Sequence, residues 1–220
     1  MRSTVLAALA LVLAVVARAD THPPEKTPAA DAACKKGGRV VAAFGDVVRG
    51  DWNGRAHLDK SAAASAIADE LRKAGLAVAD DGAQLPSVVR KVEMRVYPDR
   101  ATQERIGMMH FTEHRDVPLA LGGRDAKRSI AFVYLDSWSY SDLRDFLPEG
   151  GPDHDFRAIA DEVAKRARAD EQVARHIGVF YDPLVEQLGP DDKDAPLRAE
   201  ARLRLHVRQF IACLKSSGAL

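Results

Sequence analysis

The chain has few of the residues that mark a disulfide-dense scaffold or a strongly charged surface. It contains two cysteines, and aromatic residues make up 6% of the sequence. Lysines and arginines number 32 against 32 aspartates and glutamates, so no basic excess draws the chain to nucleic acid. After residue 19, no apolar run approaches the roughly 20 residues that a membrane-spanning helix needs. We therefore expect a soluble protein that neither spans a membrane nor binds nucleic acid.

The first 19 residues have the composition of a secretory signal peptide. Arg2 gives a positive start, residues 5–17 form an unbroken apolar run, and Ala17-Arg18-Ala19 is a small-x-small cleavage site. Cleavage there removes both arginines and leaves 30 basic against 32 acidic residues, a net charge of −2. The sequence therefore predicts a secreted or periplasmic protein that is cleaved near Ala19.

The remaining chain has the length and composition of one domain behind a flexible lead. Residues 20–38 are rich in proline, alanine and glycine, which is typical of an unstructured segment. No second stretch of this composition interrupts residues 39–220. We therefore predict a single α/β domain over 39–220, preceded by a signal peptide at 1–19 and a lead at 20–38.

Export would take the two cysteines into an oxidising compartment, where paired thiols form disulfides. Cys34 lies just before the first predicted strand, and Cys213 lies near the end of the last predicted helix. A bridge between them would tie both ends of the domain together and stabilise it by about 5 kcal/mol on the chain-entropy model. We predict this disulfide; the alternative is two free thiols, with Cys213 partly buried on its helix.

Hydrophobic periodicity predicts an α/β or α+β fold, with helices packed on one mixed β-sheet of five to six strands. The predicted strands are 39–44, 76–79, 88–97, 129–136 and 176–181, and 106–112 also alternates like a strand. The predicted helices, three to four in number, are 61–71, 139–146, 154–175 and 195–216. Residues 129–181 should form a right-handed βαβ unit with parallel strands, and 88–136 an antiparallel meander.

Three of the predicted strands are followed by an aspartate, namely Asp46, Asp136 and Asp182. In open α/β sheets, ligands bind beyond the carboxyl ends of the strands. Asp136 and Asp182 flank the predicted crossover, so their carboxylates should lie side by side if the two strands are neighbours. Such a pair could hold a divalent metal ion or serve as acid and base. The alternative is that these aspartates cap helices and begin turns.

Trp138 and Tyr140 follow Asp136 and form the aromatic cluster that we expect in a loop. Rings in such a position could stack on a sugar or a peptide, whereas packing into the core is the alternative. Their place next to a strand end makes them predicted binding residues.

A second motif is His110-Phe111-Thr112-Glu113-His114, which matches the H-x-x-E-H pattern. With Gly107 and Phe111, it resembles the pitrilysin-type zinc peptidases over about eight residues. The resemblance implies that His110 and His114 bind zinc, that Glu113 activates a water molecule, and that an acidic residue downstream is the third ligand. This chemistry requires a helix, whereas the strand-like alternation of the segment would put Glu113 on the opposite face from both histidines.

Two functional hypotheses follow. The first is an exported binding or accessory protein of the cell envelope or extracellular space, whose cleft lies at the strand ends and receives a small molecule, a glycan or a protein. The second is a metal-assisted hydrolase that uses Asp46, Asp136 and Asp182, with a divalent metal as cofactor and His110 or His114 as a further ligand or base. The choice depends on whether the strand-end aspartates converge.

Overall fold

Strands that are buried on both faces form the centre of the structure, a computed structural model of the chain. The structure describes residues 34–46, 58–96, 109–136, 156–170, 172–183 and 192–220; for 86–96 and 109–117 it describes the backbone but not the side chains. In chain order the elements are β1 (Val41–Phe44), α1 (Lys60–Lys73), β2 (Gln84–Val96), β3 (Met109–Ala120), β4 (Gly123–Asp125), β5 (Ile130–Leu135), α2 (Phe156–Ala169), β6 (His176–Tyr181) and α3 (Ala195–Ser217).

The main sheet is mixed and has the strand order β1-β6-β5-β4. β6 pairs in parallel with both β1 and β5, whereas β4 pairs antiparallel with β5. Every residue of β5 and β6 is buried, which agrees with their nearly continuous apolar sequences. The predicted α/β fold is confirmed, as are the strands at 129–136 and 176–181 and their parallel arrangement.

Helices cover both faces of this sheet. Alternate residues of β5 point to opposite sides: Phe132 belongs to a core shared with α1 and α3, and Val133 to a core shared with α2. The first core includes Ile67 from α1 and Phe210 from α3, and the second includes Ile159 from α2. Within the described residues, the result is a three-layer arrangement in which α1 and α3 lie on one face of the sheet and α2 lies on the other.

β2 and β3 form a separate two-stranded antiparallel sheet, so the prediction of a single sheet of five to six strands is wrong. The predicted strand at 76–79 is reduced to a single bridge, in which Ala79 pairs with Arg124 of β4. This bridge accounts for the difference, because it occupies the outer hydrogen-bonding side of β4, where another strand would have to join. The base of the β2–β3 ribbon contacts the core under α2 through Leu85 and Leu119.

α2 ends earlier than predicted: its last residue is Ala169, whereas the predicted helix covered 154–175. Arg39 explains this end, because its guanidinium donates hydrogen bonds to the carbonyl oxygens of Ala167 at 3.0 Å and Arg168 at 2.6 Å. The Asp170 side chain then accepts a hydrogen bond from the Gln172 backbone N–H at 2.9 Å and turns the chain.

α1 and α3 agree closely with the predicted helices. Asp59 caps α1, since its Oδ1 accepts a hydrogen bond from the Ala62 backbone N–H at 2.8 Å. α3 has Pro196 in its first turn and ends at Gly218, which adopts the left-handed backbone conformation with φ of 81°. The predicted short helix at 139–146 lies outside the described residues. None of the helices in the described part of the chain is long and apolar enough to span a membrane.

The predicted disulfide between Cys34 and Cys213 is present, with the two Cα atoms 4.8 Å apart. It joins the residues before β1 to the C-terminal half of α3, and Gly37 N–H adds a hydrogen bond to Ser217 O at 2.8 Å. The C-terminal end of α3 therefore lies beside the start of β1. Because the helix runs antiparallel to the strand, its N-terminal half lies beside the end of β1.

Candidate functional site

The parallel strands β1, β6 and β5 end at the same edge of the main sheet, here called the carboxyl-end edge. Phe44 pairs with Phe180, and Leu135 pairs with Tyr181, so the three strands stop within one residue of each other. Asp46, Asp136 and Asp182 follow these ends, and the strand that precedes Asp182 is the middle one. The topology thus brings the three predicted aspartates to one edge of the sheet, on adjacent strands.

The three described helices begin at this edge. Arg39, which precedes β1, binds the C-terminal carbonyls of α2, so the N-terminus of α2 lies at the opposite, carboxyl-end edge. The disulfide fixes α3 in the same direction, and the charge of the α1 cap residue, Asp59, acts on Tyr134 at the end of β5. Helix N-termini carry partial positive charge, which favours the carboxylates that follow the strands.

Asp46 is held by two side chains of α3, and these three residues are called the Asp46 cluster. Its Oδ1 accepts hydrogen bonds from Arg202 Nε at 2.8 Å and from His206 Nε2 at 3.2 Å, and Arg202 Nη2 lies 2.7 Å away. Burial raises the pKa of Asp46, but the hydrogen bonds and charges of His206 and Arg202 outweigh it and hold this pKa below its usual value. The carboxylate is therefore ionised at neutral pH.

An ionised Asp46 orients the imidazole of His206. A carboxylate only accepts hydrogen bonds, so Nε2 of the imidazole carries the proton of this hydrogen bond. The His206 side chain is 1% exposed, and Nδ1 has no hydrogen-bond partner among the described residues. The pair therefore has the geometry of an oriented imidazole whose second nitrogen is unoccupied by the described part of the protein.

Arg202 and His206 were not among the residues predicted from the sequence. Their spacing could have identified them as a pair, because the two residues are four positions apart and therefore share one helical face. His206 also stands within the apolar stripe formed by Leu203, Val207 and Phe210, all of which are buried. A histidine and an arginine on the buried face of a helix need polar partners, and the strand-end Asp46 is that partner here.

Tyr181, the last residue of β6, packs tightly against the end of β1. Its hydroxyl donates a hydrogen bond to the backbone carbonyl of Asp46. A Cβ at Gly45 would lie 2.2 Å from Tyr181 Cζ, so only glycine lets the backbone pass the ring at this distance. Burial raises the pKa of Tyr181, and the nearby Arg157 guanidinium opposes this only in part. The phenol is therefore a neutral structural element that fixes the backbone at Asp46.

Tyr134 and three carboxylates form the other half of the carboxyl-end edge. Tyr134 is 2% exposed and Asp182 is 3% exposed, whereas Asp136 is partly exposed. Burial raises the pKa of Tyr134, and the charge of Asp182 raises it further, with smaller contributions from Asp136 and Asp59. The two aspartates predicted to lie side by side, Asp136 and Asp182, therefore act on the same buried phenol, and the field there is negative.

The geometry gives little support to a metal centre. Across the described ranges, no group of three or more histidine, cysteine, aspartate or glutamate side chains is arranged to hold a metal ion. Asp46, Asp136 and Asp182 share an edge without forming such a group. In addition, Oδ1 of Asp46 already faces the Arg202 guanidinium, and a metal ion there would meet a positive charge.

The H-x-x-E-H motif does not form the helix that zinc-peptidase chemistry requires. His110, Glu113 and His114 lie on β3, a strand that pairs antiparallel with β2 along its length. The extended backbone cannot bring the two histidines and the glutamate together on one face as a helix does. The helix that the resemblance requires is therefore not present at these residues, because the alternating sequence forms a β-ribbon.

The predicted binding residues Trp138 and Tyr140 lie outside the described residues, and their role stays a prediction. They follow Asp136 by two and four positions. No protein-family model matches the chain, and it has no match among curated proteins or solved structures. The carboxyl-end edge, with its three aspartates, is therefore the feature from which a function can be proposed.

Proposed function

We propose that the chain is an exported binding or accessory protein of the cell envelope or extracellular space, and that its ligand binds at the carboxyl-end edge. The observation that supports this most is the alignment of three adjacent parallel strand ends, each followed by an aspartate. Edges of this kind are where open α/β sheets bind ligands. The disulfide and the signal-like N-terminal sequence are both compatible with export.

Asp136 is the residue best placed to meet a ligand. It is partly exposed, whereas Asp182 beside it is buried and close to Tyr134. A carboxylate at this position accepts hydrogen bonds, so the ligand must offer hydroxyl or N–H groups. Small polar molecules, glycans and peptide segments all carry such groups, and aromatic residues such as Trp138 and Tyr140 suit the apolar face of a sugar or a peptide.

The charge arrangement favours binding over metal-assisted hydrolysis. Arg202 neutralises Asp46, and its guanidinium lies 2.7 Å from Oδ1. A hydrolase that used Asp46 as a metal ligand would have to break this ion pair first. The Asp46 cluster instead holds the end of β1 against α3. The carboxyl-end edge is therefore preorganised, which lowers the entropic cost of binding a ligand there.

A thermal-shift screen tests this proposal with defined probes: free amino acids, short peptides, monosaccharides and chito- and malto-oligosaccharides. We expect one of these classes to raise the unfolding temperature of the wild-type protein and of Asp69→Asn, which changes a partly exposed side chain on α1. The same compound should have a much smaller effect on Asp136→Asn.

Two results would contradict the proposal. One is a compound that stabilises Asp136→Asn as strongly as the wild type, which would put its binding site elsewhere. The other is stabilisation by Mg²⁺, Mn²⁺ or Zn²⁺ that disappears in Asp136→Asn and Asp182→Asn, which would favour the metal-dependent hydrolase instead.

A further inference from the structure

The disulfide lies at the end of the sheet opposite the carboxyl-end edge, and its two cysteines differ in exposure. Cys213 is 3% exposed and belongs to the core between the sheet and α3, whereas Cys34 is only partly buried at the rim of that core. A reagent from solution therefore reaches Cys34 more easily than Cys213. Cys34 is therefore the cysteine at which attack on the bond is expected.

Residues Cys34–Gly38, here called the tether segment, meet α3 through the disulfide and the hydrogen bond from Gly37 N–H to Ser217 O. Gly38 N–H closes a turn within the segment by bonding Lys35 O at 2.9 Å. Lys35 and Lys36 are exposed. The segment therefore lies on the surface of the domain, fastened to the last turns of one helix.

Beginning at Arg39, the residue after the tether segment, the chain contacts the sheet and α2. Arg39 donates hydrogen bonds to several carbonyl oxygens at the end of α2, and Val40 N–H donates to His176 Nδ1 at 3.1 Å. Val41 then begins β1, whose residues are all buried. From Arg39 onward the chain is fixed by the sheet and by α2, independently of the disulfide.

α3 has its own attachment to the sheet. Leu203, Val207, Phe210 and Leu214 are completely buried, and Gly218 closes the helix end with a backbone hydrogen bond to Lys215 O. These contacts involve the sheet and α1 and do not pass through Cys34. Opening the disulfide therefore removes the covalent link between the tether segment and α3 without removing the core contacts of the helix.

We propose that the Cys34–Cys213 bond is a redox-sensitive tether, which a dithiol reductant opens to release the tether segment while the domain stays folded. One thiolate of the reductant attacks Cys34 Sγ, a mixed disulfide forms, and Cys213 leaves as a thiolate that takes up a proton. The second thiol of the reductant then displaces Cys34. Two electrons pass to the protein, which gains two thiols, and the reductant becomes a disulfide.

The charges around Cys34 suit this exchange. Lys35 and Lys36 follow it directly, and cations beside a cysteine favour the thiolate that leaves in the second step. The released segment would carry this thiol away from the core. The inference does not depend on the ligand proposed above, because it concerns the opposite end of the sheet.

Hydrogen exchange measured by mass spectrometry on the secreted protein, purified with its disulfide intact, tests this inference. Dithiothreitol serves as the dithiol. We expect the amides of the tether segment, including Gly37, to exchange at least about tenfold faster after reduction, while peptides from the buried part of α3 change less than about twofold. The double variant Cys34→Ser/Cys213→Ser should show the fast exchange with and without reductant.

Two outcomes would overturn the inference. Unchanged exchange of the tether segment after complete reduction would mean that other contacts hold it. A parallel increase in α3 and β1 would mean that the bond is a structural element of the core, so that its reduction unfolds the domain instead of releasing a segment. Thiol labelling of both cysteines confirms that reduction was complete in either case.

Discussion

Asp46 and Arg202 form an ion pair, with 2.7 Å between Oδ1 and Nη2, that joins the end of β1 to α3. The Asp46 side chain is 11% exposed and the Arg202 side chain is 27% exposed, so the pair is shielded from most of the solvent. His206 completes the arrangement from the next turn of the same helix. This contact fixes the first of the three aspartates at the carboxyl-end edge, and its energetics can be measured directly.

Removing Arg202 should destabilise the protein because it leaves a largely buried carboxylate with fewer partners. We expect Arg202→Ala to lower the free energy of unfolding by about 1 to 3 kcal/mol in urea titrations at pH 7. Lys165→Ala is the matched control, because Lys165 pairs with Glu162 on α2 with a side chain that is 73% exposed. An exposed pair of this kind contributes about 0 to 1 kcal/mol. Equal losses for both variants would mean that the Asp46 cluster contributes no more than a surface pair.

Acid should destabilise the packing of α1 against α3 through Glu70. Its carboxylate bonds Lys73 at 2.9 Å, Arg208 at 3.0 Å and Arg204 at 3.2 Å. Burial raises the pKa of Glu70, but the hydrogen bonds and charges of Arg208 and Lys73 outweigh it and lower this pKa from 4.5 to about 2. The stabilisation is therefore complete above about pH 4.5 and is lost as the pH falls towards 2.

The measurement is the free energy of unfolding between pH 6 and pH 2.5 for the wild type and for Glu70→Gln. We expect the wild type to be more stable at pH 6 by about 1 to 3 kcal/mol, and the difference to shrink as the pH falls. Asp46 and Asp125 also have lowered pKa values, so the variant should retain part of the acid sensitivity. A difference that is constant with pH would show that the charge of Glu70 is not the cause.

Gly45 should not tolerate a side chain, because a Cβ there would collide with the ring of Tyr181. We expect Gly45→Ala to cost about 1 to 3 kcal/mol, the usual cost of overpacking, in urea titrations. In a Tyr181→Leu background the ring atoms that cause the collision are gone, so the same change should cost distinctly less. Additive effects in this double-mutant cycle would show that the loss has another origin.

The sequence predicted the fold best where the burial of a strand follows from the apolar residues of that strand alone. β5 and β6 have nearly continuous apolar sequences, and both are buried strands that pair in parallel. The β2–β3 pairing was also visible as alternation. The alternation did not show which sheet these two strands would join. Their separation from the main sheet depends on the bridge between Ala79 and Arg124, a contact between short segments with no periodic signal.

Long-range side-chain contacts explain the remaining differences. The end of α2 depends on Arg39, which lies 129 residues before the carbonyl of Arg168 that it binds. The partners of Asp46 are 156 and 160 residues away in the sequence. The strand-end aspartates could be predicted because parallel topology follows from local patterns, whereas Arg202 and His206 required knowledge of which helix packs beside β1.

The central claim, that the carboxyl-end edge binds the ligand, is tested most directly by calorimetric titration of the strongest compound from the thermal-shift screen. Wild type, Asp136→Asn and Asp69→Asn are titrated under identical conditions. The account predicts that Asp136→Asn binds at least about tenfold more weakly, a difference of about 1.4 kcal/mol, and that Asp69→Asn binds as the wild type does. Equal affinity for all three proteins would contradict it.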